Sequence, residues 1–130
     1  MVVRWGLWMQ RKSVLIVDDE VALARVFSRG LASQFDVRVA TTGREALRLL
    51  RLERFDAVVC DLQLGDINGR DLFRTISRER PELGERFVFI SGGSVDAADL
   101  QFLATVPSIA KPCSSRELLA MLSERLCGHS

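Results

Sequence analysis

Three consecutive carboxylates, Asp18, Asp19 and Glu20, follow directly after the branched apolar run VLIV at residues 14–17. Adjacent acids repel one another and raise one another's pKa values unless a cation offsets their charge. A solvated turn, the start of a helix and a metal site would each produce this local pattern. The choice between them depends on which other side chains lie near the triplet.

Three further reactive side chains stand at the ends of other apolar runs, namely Asp61 after FDAVVC, Ser91 at the end of RFVFIS and Lys111 after PSIA. Carboxylate oxygens suit Mg²⁺, and the absence of thiolate and imidazole ligands from this set disfavours zinc and copper. A carboxylate can also attack phosphorus to give an aspartyl phosphate, with a metal and a lysine stabilising the transferred charge. Asp61 stands alone at the end of its run, so it is the natural nucleophile.

Strand-like and helix-like patterns alternate five times from Ser13 onward. Strands are predicted at residues 14–19, 35–40, 55–60, 86–91 and 107–110. Helices are predicted at residues 20–33, 42–52, 69–80, 96–104 and 114–126. Thr42 with Glu45, and Ser114 with Glu117, form capping boxes at two helix starts. The buried face of the first helix is predicted to comprise Leu23, Val26, Phe27 and Leu31. This alternation predicts an α/β fold, a (βα)5 doubly wound parallel sheet with helices on both faces.

In such a sheet, ligands bind outside the carboxyl ends of the strands. The sequence therefore predicts that Asp18, Asp19, Asp61, Ser91 and Lys111 meet at one rim. Each residue alone has an ordinary explanation as a helix cap, a turn, a loop residue or a solvated lysine. If each ordinary explanation were correct, reactive side chains would stand at four strand ends by chance. This is improbable, so the residues together predict a functional site.

The composition limits the class of protein. The chain has 130 residues, which is enough for one ordinary domain, and it is 48% hydrophobic and 27% charged, as in soluble globular proteins. A net charge of +1 gives no basic excess for nucleic-acid binding. No apolar run approaches the roughly 20 residues that span a bilayer. Cys60, Cys113 and Cys127 lack metal or disulfide spacing, which fits reduced thiols in a cytoplasmic protein.

Four segments, VLIVDDE, DLQLGDINGRDL, ISGG and AKP, occur in an order and spacing typical of one known family. From about Ser13 to Leu126 the chain resembles the receiver domain of two-component response regulators. The resemblance implies a flavodoxin-like sheet with strand order 2-1-3-4-5. It also implies that Asp61 takes a phosphoryl group from the phosphohistidine of a histidine kinase or a histidine phosphotransfer protein. The chain would then be a switch that phosphorylates and dephosphorylates itself, and not an enzyme in the ordinary sense.

The resemblance also implies a Mg²⁺ site. Asp19 and Asp61 match the carboxylates that bind the metal, Gln63 matches the third ligand through its backbone carbonyl, and Asp18 matches the acid that holds the metal through water. Glu20 is expected to start the first helix, where a negative charge suits the helix dipole. It is expected to belong to the site only by proximity.

The remaining site positions concern the phosphoryl group. Ser91 matches the switch hydroxyl that moves to bond it, and Lys111 matches the lysine that pairs with it. The bond between Lys111 and Pro112 is expected to be cis, as the resemblance implies. The face built from helix four, strand five and helix five is expected to shift between two states, to be read by partners, and to be available for a homodimer.

Several positions depart from the family pattern. Ser108 stands where a switch aromatic is usual, Gly65 replaces a frequent proline, and Cys113 stands where phenylalanine is common. These departures concern the output step, not the phosphorylation chemistry. The stretch from residue 90 to residue 112 looks more like receivers attached to hybrid histidine kinases than like DNA-binding regulators.

The expected layout is an N-terminal arm or linker at residues 1–12, a receiver domain at residues 13–127 and a tail at residues 128–130. The arm carries both tryptophans and is either a linker remnant or a docking segment. His129, the one histidine, lies in the tail, so a kinase or a histidine phosphotransfer domain is not expected from this stretch by itself.

Two alternative functions stay open at this stage. A pseudo-receiver would keep the fold and act as an interaction module without phosphate, which Ser108 and the short fourth helix favour. A Mg²⁺-dependent phosphatase with an aspartyl intermediate would need a second acid two residues after Asp61, where this chain has Gln63.

Overall fold

The computed structural model describes residues 11–93 and 95–127. The predictions for the N-terminal arm up to residue 10 and for the tail at residues 128–130 fall outside the described residues. The strands are β1 Ser13–Val17, β2 Asp36–Ala40, β3 Ala57–Asp61, β4 Phe87–Ser91 and β5 Ser108–Ala110. The main helices are α1 Val21–Leu31, α2 Gly43–Leu52, α3 Gly69–Glu79, α4 Ala97–Leu103 and α5 Ser115–Cys127. No helix in the described part of the chain is long and apolar enough to cross a bilayer.

The five strands form one parallel sheet in the order β2-β1-β3-β4-β5, which confirms the predicted topology. β3 is buried along its whole length, as expected of a central strand with helices on both faces. β2 alternates between more and less exposed residues because it lies at the edge. β1 and β3 are neighbours, with Val17 opposite Cys60, so their carboxyl ends lie side by side.

The core has two layers, one on each face of the sheet. Successive strand residues point to opposite faces, so Leu15 and Val17 pack with α2, α3 and α4, whereas Val14 and Ile16 pack with α1 and α5. The branched run at the start of the sequence is thus buried on both sides. This burial fixes the register of β1 and therefore the position of the acids that follow it.

Side-chain caps begin most of the helices where the sequence indicates. The Thr42 hydroxyl accepts the Glu45 N–H at 3.1 Å. Ser114 and Glu117 complete the reciprocal capping box, with both backbone N–H groups bonded to the partner side chain at 3.1 Å. Asp96 caps α4 by accepting the Asp99 N–H at 2.8 Å. Local hydrogen bonding therefore explains why these boundaries were predictable.

One local prediction was wrong and one short element was missed. Val26 is 55% exposed, because the buried face of α1 is formed by Ala24, Phe27 and Leu31. A separate helical turn, Pro81–Gly84, follows α3 and was not predicted. Proline ends α3 but is well tolerated as the first residue of a new turn. A four-residue turn is too short to show apolar periodicity.

Four aromatic rings join α3 and α4 to β4. Phe73 lies edge-on to Phe87, Phe89 and Phe102, with ring centroids 5.3–5.6 Å apart. Phe102 of α4 also meets Phe89 at 5.0 Å. These contacts hold the short helix α4 against the sheet, and edge-to-face pairs add modestly to the burial of the rings.

Helices α1 and α5 approach most closely at Gly30. A Cβ built on Gly30 would overlap the Cβ of Ser115. Alanine normally favours a helix over glycine by about 1 kcal/mol. Here we expect Gly30→Ala to lower the free energy of unfolding by about 1–3 kcal/mol, because the added methyl overpacks the contact. Urea denaturation measures the change.

The matched control removes the opposing methylene. The double variant Gly30→Ala/Ser115→Gly is expected to recover most of the loss relative to Ser115→Gly alone. A Gly30→Ala variant as stable as the wild type would contradict the close approach of the two helices.

Candidate functional site

The predicted site residues lie together at the carboxyl ends of the strands. Asp18 follows β1, Asp61 ends β3, Ser91 ends β4 and Lys111 follows β5. Carboxylate oxygens of Asp18, Asp19 and Asp61 all lie within 4.8 Å of one another. The structure thus brings residues separated by up to 93 positions into one rim.

Asp18 is buried at the centre of this rim, with 1% of its surface exposed. Its Oδ1 accepts the Glu20 N–H at 2.9 Å, which turns the chain into α1. Its Oδ2 is buried and has no hydrogen-bond partner among the described residues. Burial, helped by the charge of Asp61, raises the pKa of Asp18 to about 6, although the Glu20 N–H and Lys111 oppose the shift. A cation at Oδ2 would therefore offset the cost of keeping this buried carboxylate charged.

Asp61 is also buried, and both of its carboxylate oxygens are engaged. Oδ1 accepts the Gln63 N–H at 3.0 Å, and Oδ2 accepts a hydrogen bond from Lys111 Nζ at 2.9 Å. Asp19 and Gln63 are exposed at the mouth of the site. The backbone after β3 therefore turns around the Asp61 carboxylate.

Lys111 reaches three carboxylates at once. Its Nζ lies 2.9 Å from Asp61 Oδ2, 3.2 Å from Glu20 Oε1 and 3.6 Å from Asp18 Oδ2. Burial would lower the pKa of Lys111, but the hydrogen bond and charge of Asp61 outweigh it and raise that pKa. The lysine is therefore a fixed positive charge within the acidic rim. The Lys111–Pro112 peptide bond is cis, as the resemblance implies.

The prediction that Glu20 starts the first helix is confirmed, but the prediction that it belongs to the site only by proximity is wrong. Glu20 is the N-cap residue of α1, but its side chain makes no capping hydrogen bond. Instead, its carboxylate accepts a hydrogen bond from Lys111. The two residues are 91 positions apart, so local sequence could not indicate this contact. The contact forms because the residues that follow β1 and β5 lie at the same edge of the sheet.

Ser91 and the glycine after it set the path of Lys111. The Ser91 carbonyl accepts the Lys111 N–H at 2.6 Å. A Cβ built on Gly92 would lie 2.8 Å from Lys111 Cδ and 3.0 Å from Lys111 Cβ. A side chain at position 92 would therefore push the lysine away from Asp61.

An open cleft of about 540 Å³ lies over these residues. Its polar wall includes Asp61 and Lys111, and its apolar wall includes Phe27, Pro112 and Cys113. Burial, together with the charge of Glu117, raises the pKa of Cys113, so this thiol is not an activated nucleophile.

The burial of Asp18 predicts a pH-dependent cost to the folded state. An acid whose folded pKa lies above its unfolded value near 3.8 binds its proton more tightly when folded. Stability therefore falls as the pH rises from about 4 to about 6 and levels off above that range. In EDTA at pH 7.5, we expect Asp18→Asn to raise the free energy of unfolding by about 1–3 kcal/mol.

Urea denaturation of the wild type and of Asp18→Asn at pH 7.5 and at pH 4.5 measures this cost. The gain should be smaller at pH 4.5, where the folded wild type already carries the proton. A loss of stability of equal size at both pH values would show instead that the charged carboxylate stabilises the fold.

Two curated relatives show how the sequence compares with known proteins. The alginate biosynthesis transcriptional regulatory protein AlgB of Pseudomonas aeruginosa is 33% identical over 116 residues, which cover 87% of this chain and 25% of that protein. The regulatory protein VirG of Agrobacterium fabrum is 31% identical over 115 residues, which cover 85% of this chain and 44% of that protein. The chain thus spans less than half the length of either relative.

Solved structures agree with the sequence matches. A CheY-like response regulator receiver domain from Methanospirillum hungatei JF-1 has a TM-score of 0.83 at 26% identity, covering 92% of this chain and 96% of that one. The response regulator DrrB of Thermotoga maritima has a TM-score of 0.79 at 27% identity, covering 93% and 55%. The family model described as the response regulator receiver domain matches residues 14–123. The chain therefore belongs to the response regulator receiver domain family of two-component signalling.

Proposed function

We propose that this chain accepts a phosphoryl group on Asp61 from the phosphohistidine of a histidine kinase or a histidine phosphotransfer protein. The proposal rests on the side chains that surround Asp61. Its buried carboxylate lies within hydrogen-bond distance of Lys111, and it shares a 4.8 Å cluster with two other acids. A candidate nucleophile, a lysine ammonium and a cluster of acids therefore lie close together, which supports the proposal.

The residues present fit Mg²⁺. The buried Asp18 Oδ2 lacks a hydrogen-bond partner among the described residues, and the clustered ligand atoms are all carboxylate oxygens. Hard oxygen ligands of this kind suit Mg²⁺. Asp19, Asp61 and the backbone carbonyl of Gln63 would hold the ion, with Asp18 acting through water. When bound, Mg²⁺ would neutralise charge on the phosphoryl oxygens.

The transfer itself uses an Asp61 carboxylate oxygen as nucleophile. This oxygen forms a bond to phosphorus while the phosphorus–nitrogen bond breaks, and the bonding electron pair returns to the imidazole. Lys111 lies 2.9 Å from Asp61 Oδ2, so its ammonium group can pass to a phosphoryl oxygen with little movement. The chain's own contribution is therefore orientation and fixed positive charge.

Phosphorylation would replace the single negative charge of the Asp61 carboxylate by the roughly −1.5 to −2 of a phosphoryl group, so the rim would gain about one further negative charge at most. Ser91 and Lys111 then move towards the phosphoryl group, and the face formed by α4, β5 and α5 shifts in population. In place of a β5 aromatic, Ser108 lies opposite Phe89, against which Phe102 of α4 packs. The aromatic rings beneath this face thus come from α3, β4 and α4, and none from β5. A partner protein, or a second copy of the chain, then binds to the shifted face.

The kind of protein to which this receiver belongs is inferred from indirect support. AlgB is named as a transcriptional regulator, whereas the sequence between residues 90 and 112 favours a receiver of a hybrid histidine kinase. Either parent would place the receiver in the cytoplasm, which the scattered cysteines also favour. Neither assignment changes the chemistry proposed for Asp61.

Intact-mass spectrometry tests the phosphorylation. We expect acetyl phosphate or phosphoramidate with Mg²⁺ to add one phosphoryl group, about 80 Da, to the wild type. Asp61→Asn removes the nucleophile and should abolish the adduct. Asp71→Asn, which changes an exposed acid in the first turn of α3, is the matched control and should leave the adduct intact.

An unmodified wild type under these conditions would contradict the proposal. It would favour the pseudo-receiver, whose partner binding would then be unaffected by Asp61→Asn. Turnover of a phosphate ester by the wild type would revive the phosphatase alternative.

A further inference from the structure

The loop between β3 and α3 is attached to a helix that is distant in sequence. Asp66, near the middle of this loop, accepts two backbone hydrogen bonds from the start of α2. The Gly43 N–H donates to Oδ1 at 2.8 Å, and the Arg44 N–H donates to Oδ2 at 3.0 Å. The side chain thus bridges residues separated by 23 positions.

These bonds add to the cap of α2. The first N–H groups of a helix have no partner within the helix. The Thr42 side chain satisfies that of Glu45, and Asp66 satisfies those of Gly43 and Arg44. The Ala46 N–H then makes the first bond within the helix, to the Thr42 carbonyl. The Gly43 N–H and the other backbone donors lower the pKa of Asp66, so its carboxylate stays charged. Although it is exposed, the Asp66 carboxylate is therefore fixed in place by two hydrogen bonds to the start of α2.

The contact also needs the glycine at the helix start. A Cβ built on Gly43 would lie 2.9 Å from Ile67 Cβ and 3.2 Å from Asp66 Oδ1. At the base of the loop, the Gly69 N–H bonds to the Leu62 carbonyl at 2.8 Å. Hydrogen bonds therefore hold the loop at both its base, between Gly69 and Leu62, and its tip, at Asp66.

This fastened loop lies against the acidic rim. Gln63 donates its N–H to Asp61, and a Cβ built on Gly65 would lie 3.4 Å from Asp19 Oδ2. A shift of the loop would move the Gln63 carbonyl relative to both aspartates. Through the loop, the start of α2 therefore determines where the third proposed Mg²⁺ ligand lies.

We propose that Asp66 is a positioning residue for the phosphoacceptor site, which it serves by tying the loop of Gln63 to the N-terminus of α2. This inference rests on the proposed function for its role in Mg²⁺ binding. The mechanical part, that Asp66 orders Gln63, does not depend on metal. The two parts can be measured separately.

The metal-free measurement is amide hydrogen exchange in EDTA. Asp66→Ala is expected to speed exchange of the Gln63 and Gly69 amides, which bond within the loop, by about tenfold or more. The amides of β1 should keep their protection. Asp71→Ala, which removes the same charge from the neighbouring helix, should change neither set.

The metal measurement is titration of the full chain with Mg²⁺ by isothermal calorimetry in high salt, where simple charge attraction is screened. Asp66→Ala is expected to weaken Mg²⁺ binding by about tenfold, as removal of supporting groups does in other metal sites. Asp66→Asn keeps one acceptor oxygen but loses the second backbone hydrogen bond, so it should weaken Mg²⁺ binding by about threefold, less than Asp66→Ala does. An effect of charge alone would make Asn as weak as Ala.

The outcomes separate the two proposals. If the wild type binds no Mg²⁺, the proposed function fails, while the exchange data still decide the loop contact. If the wild type binds Mg²⁺ and Asp66→Ala matches Asp71→Ala in both measurements, the positioning role is wrong. Should Asp66→Ala not fold, Gly43→Ala carries the test, because its methyl crowds Ile67 and Asp66 without changing any charge. It should speed exchange of the Gln63 amide and weaken Mg²⁺ binding, and wild-type behaviour in both measurements would overturn the positioning role.

Discussion

The interaction on which the rim depends is the pairing of Lys111 with the carboxylates of Asp61 and Asp18. Two carboxylates buried side by side repel each other, and burial penalises the charged form of each. Lys111 contacts both, and Glu20 holds the same ammonium from the solvent side. One lysine does not balance these carboxylates, so the cluster keeps an excess of negative charge.

The sheet makes this arrangement unavoidable. β1 and β3 are adjacent, parallel and in a fixed register, so the residues that follow them must meet at the same edge. Glycines then allow the close approaches. Gly92 leaves room for the lysine stem, and Gly69 brings the start of α3 so near to β3 that a Cβ there would lie 2.5 Å from the Asp61 carbonyl. Small residues therefore control where the charged ones lie.

The face beneath α4 shows how the same fold accommodates an unusual sequence. Ser108 leaves no aromatic ring on β5, yet Phe73, Phe89 and Phe102 pack edge-to-face between α3, α4 and the sheet. An ion pair between Arg70 and the buried Asp99, 3.4 Å apart, also joins α3 to α4.

The sequence by itself determined the features that depend on neighbouring residues. The branched run before Asp18 predicts a buried strand, and Thr42 and Ser114 mark helix starts because a cap bonds within its own first turn. The alternation of strands and helices then predicts the rim, since parallel strands end at one edge. What the tertiary structure alone decided are contacts between distant segments. Lys111 with Glu20, Asp66 with Gly43, and the exposure of Val26 follow from how elements pack, and no local pattern encodes a distance across the fold.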